Sequence, residues 1–171
     1  MHKVLIVSDS HRMKEEVAMI AERHEADLFI HCGDSELKED DAVLARYVVV
    51  KGNCDWYGTF PEDLVIEHGG LRFYVTHGHL YDVKRTLQKL QYRALEVEAD
   101  IACFGHSHVA YAEQLDGTLF LNPGSIRVPR KFRDPSYVLL EWKRVQEVTV
   151  TFYHVDGSEI ESFPYNNTFS F

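Results

Sequence analysis

Unbroken apolar runs alternate with amphipathic stretches along most of this chain, and each run ends abruptly in polar residues. Val4–Val7 passes into Ser-Asp-Ser-His, Ala26–Ile30 into His-Cys-Gly-Asp, and Tyr47–Val50 into Lys-Gly-Asn-Cys-Asp. Runs of Val, Leu and Ile without polar alternation suit parallel strands covered on both faces. Between the first two, Met13, Val17, Ile20 and Ala21 fall at helical spacing and predict an amphipathic helix over Met13–Glu25. A short helix is expected over Leu37–Arg46. Leu64–Glu67 and Leu71–Thr76 flank His68-Gly69-Gly70, a hairpin signal. A second long helix is expected over Asp82–Glu98, with Asp82 as its cap and Val83, Leu87, Leu90 and Ala94 as the buried stripe.

Two further buried strands are read at Asp100–His108 and Thr118–Ser125. Tyr137–Trp142 and Val148–Val155 read as an antiparallel pair turning at Lys143-Arg144. The tail from Gly157 carries Phe163, Tyr165, Phe169 and Phe171 without a usable period, and suits docking on the body or on a second copy equally well. Strands interleaved with helices, then mostly strands, predict an α/β chain: a single-domain α/β/β/α sandwich over residues 1–171, two mixed sheets flanked by helices.

Composition narrows the function. The chain has 171 residues, a formal charge of −9 and three cysteines without CxxC spacing. Net acidity argues against broad nucleic-acid binding, which needs Lys and Arg to neutralise phosphates. The odd, unpatterned cysteines argue against a disulfide framework and for a reducing cytoplasm. No stretch approaches the length of a membrane span, and a buried strand from Val4 leads us to expect no secretory leader.

The strand ends carry the chemistry. They present Asp9 and His11, Asp34, Asn53 with Asp55, His77 with His79, and His106 with His108. Each has a bland reading alone: Asp9 could cap a helix, and Asn53 after Gly52 could sit in a turn. Jointly they do not, because capping and turn chemistry do not call for histidine repeatedly at one edge of a sheet. In α/β sheets the rim beyond the carboxyl ends of the strands is where ligands bind. Asp-x-His and His-x-His also let alternate residues of an extended segment point the same way.

The ordered set Asp-x-His (9, 11), Gly-Asp (33, 34), Gly-Asn (52, 53), His77 and Gly-His-x-His (105–108) resembles the calcineurin-like metallophosphoesterases, in particular their small bacterial and archaeal phosphodiesterases. The resemblance runs from Val4 to about Ser125. It implies a binuclear site in which Asp9, His11 and His108 hold one divalent ion, Asn53, His77 and His106 the other, and Asp34 bridges them. Asp34, Asn53 and His106 would also serve catalysis, and a metal-bridging hydroxide would attack phosphorus in line. Mn²⁺ heads the expected metals, with Ni²⁺, Fe and Zn²⁺ as alternatives, since the ligand set mixes oxygen and imidazole without thiolate.

The expected substrate is a small phosphoester, with neither nucleic acid nor membrane as partner and a homodimer as the expected assembly. Two other readings are an interaction scaffold like the retromer subunit of the same fold, and a nuclease. One position departs from the pattern. Many relatives carry His after Gly-Asn, placed to protonate the leaving group, where this chain has Cys54. Asp55 and His79 are the substitutes considered. Arg127–Arg133 (RVPRKFR) reads as a solvated basic face, with guidance of an anionic substrate as the alternative.

Overall fold

The computed structural model describes residues 1–171 except Arg133 and Ser162. Among these described residues eleven strands form two sheets. In the first, β1 (His2–Val7), β2 (Leu28–His31) and β3 (Tyr47–Val49) run parallel, and β9 (Ser136–Trp142), β10 (Val148–His154) and β11 (Asn167–Phe169) extend it antiparallel, in the order β11-β10-β9-β1-β2-β3. In the second, β5 (Leu71–Thr76), β6 (Ile101–Cys103) and β8 (Thr118–Asn122) run parallel between antiparallel edges β4 (Asp63–His68) and β7 (Tyr111–Leu115).

The sheets pack face to face through one apolar layer. Val4 and Ile6 of β1, Ile30 of β2, Phe73 and Val75 of β5, Ile101 of β6 and Leu119 and Leu121 of β8 meet there, fully buried. The alternate residues Leu5 and Val7 face outward and pack under α1 (Lys14–Arg23) through Val17, Ile20 and Ala21. Tyr74, Ala102 and Phe120 face outward from the second sheet and pack under α2 (Gln88–Glu96) through Leu90 and Ala94. Continuous apolar strands are therefore needed on both faces, one for the other sheet and one for a helix. This is the α/β/β/α sandwich expected from the pattern.

Four local readings change. Over Leu37–Arg46 the chain forms a single 3₁₀ turn, Ala42–Leu44, capped by Asp41 through its Val43 N–H. Lys38-Glu39-Asp40-Asp41 offers no apolar stripe to bury, so a longer helix has nothing to hold it. The second long helix begins at Gln88, not Asp82, which sits at φ 56° and closes a 3₁₀ turn over His79–Tyr81. Thr86 Oγ1 accepts from the Gln88 N–H at that helix start instead.

Strand β7 joins β8 through Asp116-Gly117, both at positive φ, a hairpin turn the periodicity had passed over. The tail supplies β11 and docks on the body: Phe163 is buried, 4.7 Å from the Phe152 ring and 4.8 Å from that of Phe132. Among the described residues no helix is long and apolar enough to cross a membrane.

Candidate metal centre

The parallel strands of both sheets end on the same side, and their exits converge. Asp9 and His11 follow β1, Asp34 follows β2, Asn53 follows β3, His77 follows β5, and His106 and His108 follow β6. Five of these seven, namely Asp9, His11, Asp34, His106 and His108, take left-handed backbone conformations, with φ between 42° and 65°. For a non-glycine residue that conformation costs about 1–2 kcal/mol, and such strain collects at functional sites where the surroundings over-determine it. Here hydrogen bonds between the loops do so: the Asp9 N–H donates to Gly33 O and the His11 N–H to Asp34 O, each at 3.0 Å. Gly52 and Gly105 let these exits close up. A Cβ on Gly52 would collide with the Asp34 carboxylate, and one on Gly105 would stand 2.6 Å from Asp9 Oδ2.

The ligand atoms crowd around two buried carboxylates. Asp9 Oδ1 lies 3.0 Å from His108 Nε2, 3.8 Å from His77 Nε2 and 3.9 Å from His11 Nε2. His77 Nε2 is also 3.2 Å from Asp34 Oδ2 and 3.2 Å from Asn53 Oδ1, and the Nε2 atoms of His11 and His108 are 3.4 Å apart. Asp9, His11 and His108 bring ligand atoms within 4.8 Å of one another, as do Asp9, Asp34 and His77, and His11, Asp34 and Cys54. His106 stands further back, its ring centroid 5.2 Å from that of His77. The structure thus brings together six of the expected residues closely and His106 at the edge.

The outer face of the cluster fixes its inner face. His77 Nδ1 meets Cys32 O at 2.7 Å, His108 Nδ1 meets Val128 O at 2.8 Å, and His11 Nδ1 meets Glu36 Oε2 at 2.9 Å. A carbonyl or carboxylate can only accept, so each Nδ1 carries a proton, and in the neutral ring each Nε2 turns a lone pair inward. Inward-facing lone pairs then meet carboxylate oxygens that are also acceptors. Asp9 Oδ1 is fully buried and accepts no hydrogen bond from any described residue. Acceptors packed against acceptors repel unless positive charge lies between them.

Titration behaviour follows from the same geometry. Burial pushes the Asp34 carboxyl up, but the His77 ring and the Cys54 N–H outweigh it and hold the group well below the usual carboxylate range. His77 and His108 are disfavoured as cations by burial, yet contact with Asp34 and Asp9 respectively raises both. His106 has no such partner; burial and the neighbouring His77 push it down to about 4. The Cys54 thiol is pushed up to about 11 by burial and by the Asp34 charge, so it is protonated at neutral pH.

A family model described as the calcineurin-like phosphoesterase superfamily domain matches residues 2–145. The chain belongs to that superfamily. It is 52% identical over 160 residues to the probable metallophosphoesterase YsnB of Bacillus subtilis, covering 92% of this chain and 94% of that protein. It is 27% identical over 144 residues to the phosphodiesterase MJ0936 of Methanocaldococcus jannaschii, covering 71% of this chain and 82% of that one. The crystal structure of a predicted phosphoesterase from Streptococcus pneumoniae TIGR4 superposes with a TM-score of 0.94 at 38% identity, over 99% of this chain and 98% of that one.

The superfamily implies divalent metal ions, and the residues present fit them. Imidazole lone pairs and carboxylate oxygens face a common point, one buried oxygen lacks a partner, and the donor set of nitrogen and oxygen suits first-row divalent ions.

The two substitutes considered for a leaving-group acid separate clearly. Asp55 is occupied structurally: its carboxylate accepts from the N–H groups of Asp34, Gly52 and Glu36 at 2.7–2.8 Å, clipping the β2 and β3 loops together. His79 stands on the rim, its ring 5.4 Å from that of His77. Pattern reading missed Glu36, the partner of His11, and Ser125, whose hydroxyl donates to Asp9 O. Arg127 donates to His11 O, which gives this member of the basic run a structural role, whereas Arg133 lies outside the described residues.

Proposed function

We infer that the chain is a binuclear metal-dependent phosphodiesterase acting on a small phosphoester. The observation that carries this reading is the ring of inward-facing Nε2 atoms around the Asp9 and Asp34 carboxylates, each imidazole oriented by an outer partner. Asp9, His11 and His108 would hold one ion, Asn53, His77 and His106 the other, with Asp34 shared between them. Two such ions supply Lewis acidity toward the phosphoryl oxygens and a water acidic enough to act as nucleophile near neutral pH.

The chain's own groups divide the remaining tasks. Asp34 stays ionised across the working range, so it keeps its charge for a shared position. His106, neutral above about pH 4 and at the edge of the cluster, presents a nitrogen that needs no deprotonation before ligating. Cys54 is too weak an acid to assist a poor leaving group, so esters of acidic alcohols such as nitrophenol are the favoured substrates.

The test is a panel of nitrophenyl mono- and diesters with Mn²⁺, Ni²⁺ or Zn²⁺ added, run on the natural sequence and on Asp34→Asn. Diester turnover that Asp34→Asn lowers by about 100-fold or more supports the reading. Metal-loaded protein that leaves both ester classes untouched contradicts it and returns the chain to the scaffold reading.

A further inference from the structure

A cleft of about 730 Å³ opens beside the candidate metal centre, between the segment leading into α2 and the loop after β8. Its position ties it to the centre. Ser107, between His106 and His108, lines it, and so does Val83, whose side chain packs against Gly78 next to His77. The Arg130 N–H donates to the His108 carbonyl at 2.8 Å, fixing the far wall to the same loop.

The lining has two characters. Phe104, Tyr111 and Leu87 contribute an apolar floor, while Lys84, Arg85, Arg130 and Lys131 place four cations around it. Arg85 is paired with Asp82 at 3.5 Å, but among the described residues Lys84, Arg130 and Lys131 form no ion pair. Three cations without a carboxylate partner around one cleft, on a chain of net charge −9, give it a local charge opposite in sign to the net charge of the molecule. A charged cleft with apolar walls concentrates ligands of the opposite sign. Lys84 and Arg130 are also close enough to act electrostatically on His106 and His108 respectively.

Resting on the phosphodiesterase reading above, we propose that this cleft is the subsite for one arm of the diester, an arm of nucleotide type that carries a second phosphate on an apolar or aromatic body. The second phosphate lies among Lys84, Arg130 and Lys131, and the body lies over Phe104 and Tyr111. The scissile phosphate stays at the centre. Unsubstituted diesters, lacking the second anion, leave the cations unused.

Two substrates with the same scissile bond and leaving group isolate the effect: thymidine 5′-(p-nitrophenyl phosphate) and the same compound bearing a 3′-phosphate. The natural sequence should show a KM about tenfold lower for the 3′-phosphorylated ester, the equivalent of one good charge-assisted contact, and added salt should shrink the difference. Lys84→Gln with Arg130→Gln should bring the two KM values together, while Lys84→Arg with Arg130→Lys should keep them apart. Because each variant is compared with itself, general damage to the fold moves both substrates and leaves the ratio.

Calorimetric titration of the full chain with thymidine 3′,5′-bisphosphate, with and without Mn²⁺, gives a readout independent of turnover. Binding that the Gln pair weakens supports the subsite even if neither ester is hydrolysed, an outcome that would sink only the activity. Equal KM values in the natural sequence, a ratio unmoved by the Gln pair, or no bisphosphate binding would overturn it.

Discussion

Three imidazoles at the centre, those of His11, His77 and His108, are each aimed by an atom outside it, so their orientation is set from beyond the cluster. Glu36 holds His11 at 2.9 Å with its own backbone at φ 54°. Glu36→Gln should lower metal affinity by about 10–100-fold, read by competition with a chromogenic chelator; unchanged affinity would show that His11 orients itself. Cys54 carries a different expectation. With its thiol pushed up to about 11, Cys54→Ser should keep nitrophenyl diester turnover within a small factor, and rate should depend steeply on leaving-group acidity. A flat dependence would mean that some other group, His79 first, donates the proton.

The seven candidate ligands could be named because carboxylate, carboxamide and imidazole recur at successive strand ends, in Asp-x-His and His-x-His spacing or, for Asp34 and Asn53, directly after a glycine. Glu36 and Asp55 were not. Their roles come from left-handed turns that fold each side chain back onto a neighbouring loop, and no periodicity records that.

At the level of elements, apolar runs announced the central strands because burial on two faces leaves no other composition. Helix limits were less readable. Val83 at helical spacing suggested that α2 begins at Asp82, yet Val83 is buried against Gly78 in a separate turn, and the helix starts at Gln88. The two origins predict different mutants. A helix that began at Asp82 would have no use for the Thr86 hydroxyl at its start, whereas here that hydroxyl accepts from the Gln88 N–H, so Thr86→Ala should cost about 0.5–1 kcal/mol. Urea denaturation reads the loss, and an unchanged midpoint would count against a start at Gln88. The edge strands β7 and β11 escaped notice because they are short and half-covered, which leaves them little apolar alternation.

The whole molecule is two sheets whose parallel strands deliver their exits to one rim, and folding the sheets together is what assembles the centre. Acid should loosen that assembly. His31 is fully buried between Ser10 and Tyr47, and burial drops it from 6.5 to about 4. Above pH 6.5 neither state is protonated and the group contributes nothing. Between 6.5 and 4 the unfolded chain gains a proton that the folded chain refuses, so stability falls, by up to about 3 kcal/mol. In chelator, the denaturation midpoint should drop over that window, and His31→Gln should flatten the drop; an unchanged slope would place the acid sensitivity elsewhere.

The centre itself decides what the chain does. Its most direct measurement is the number of Mn²⁺ or Zn²⁺ ions bound per chain, by elemental analysis after equilibrium dialysis, for the natural sequence and for Asp34→Asn. Two ions per chain, with at least one lost in the variant, is the predicted result; a chain that never takes up more than one, or a variant that still holds two, contradicts it.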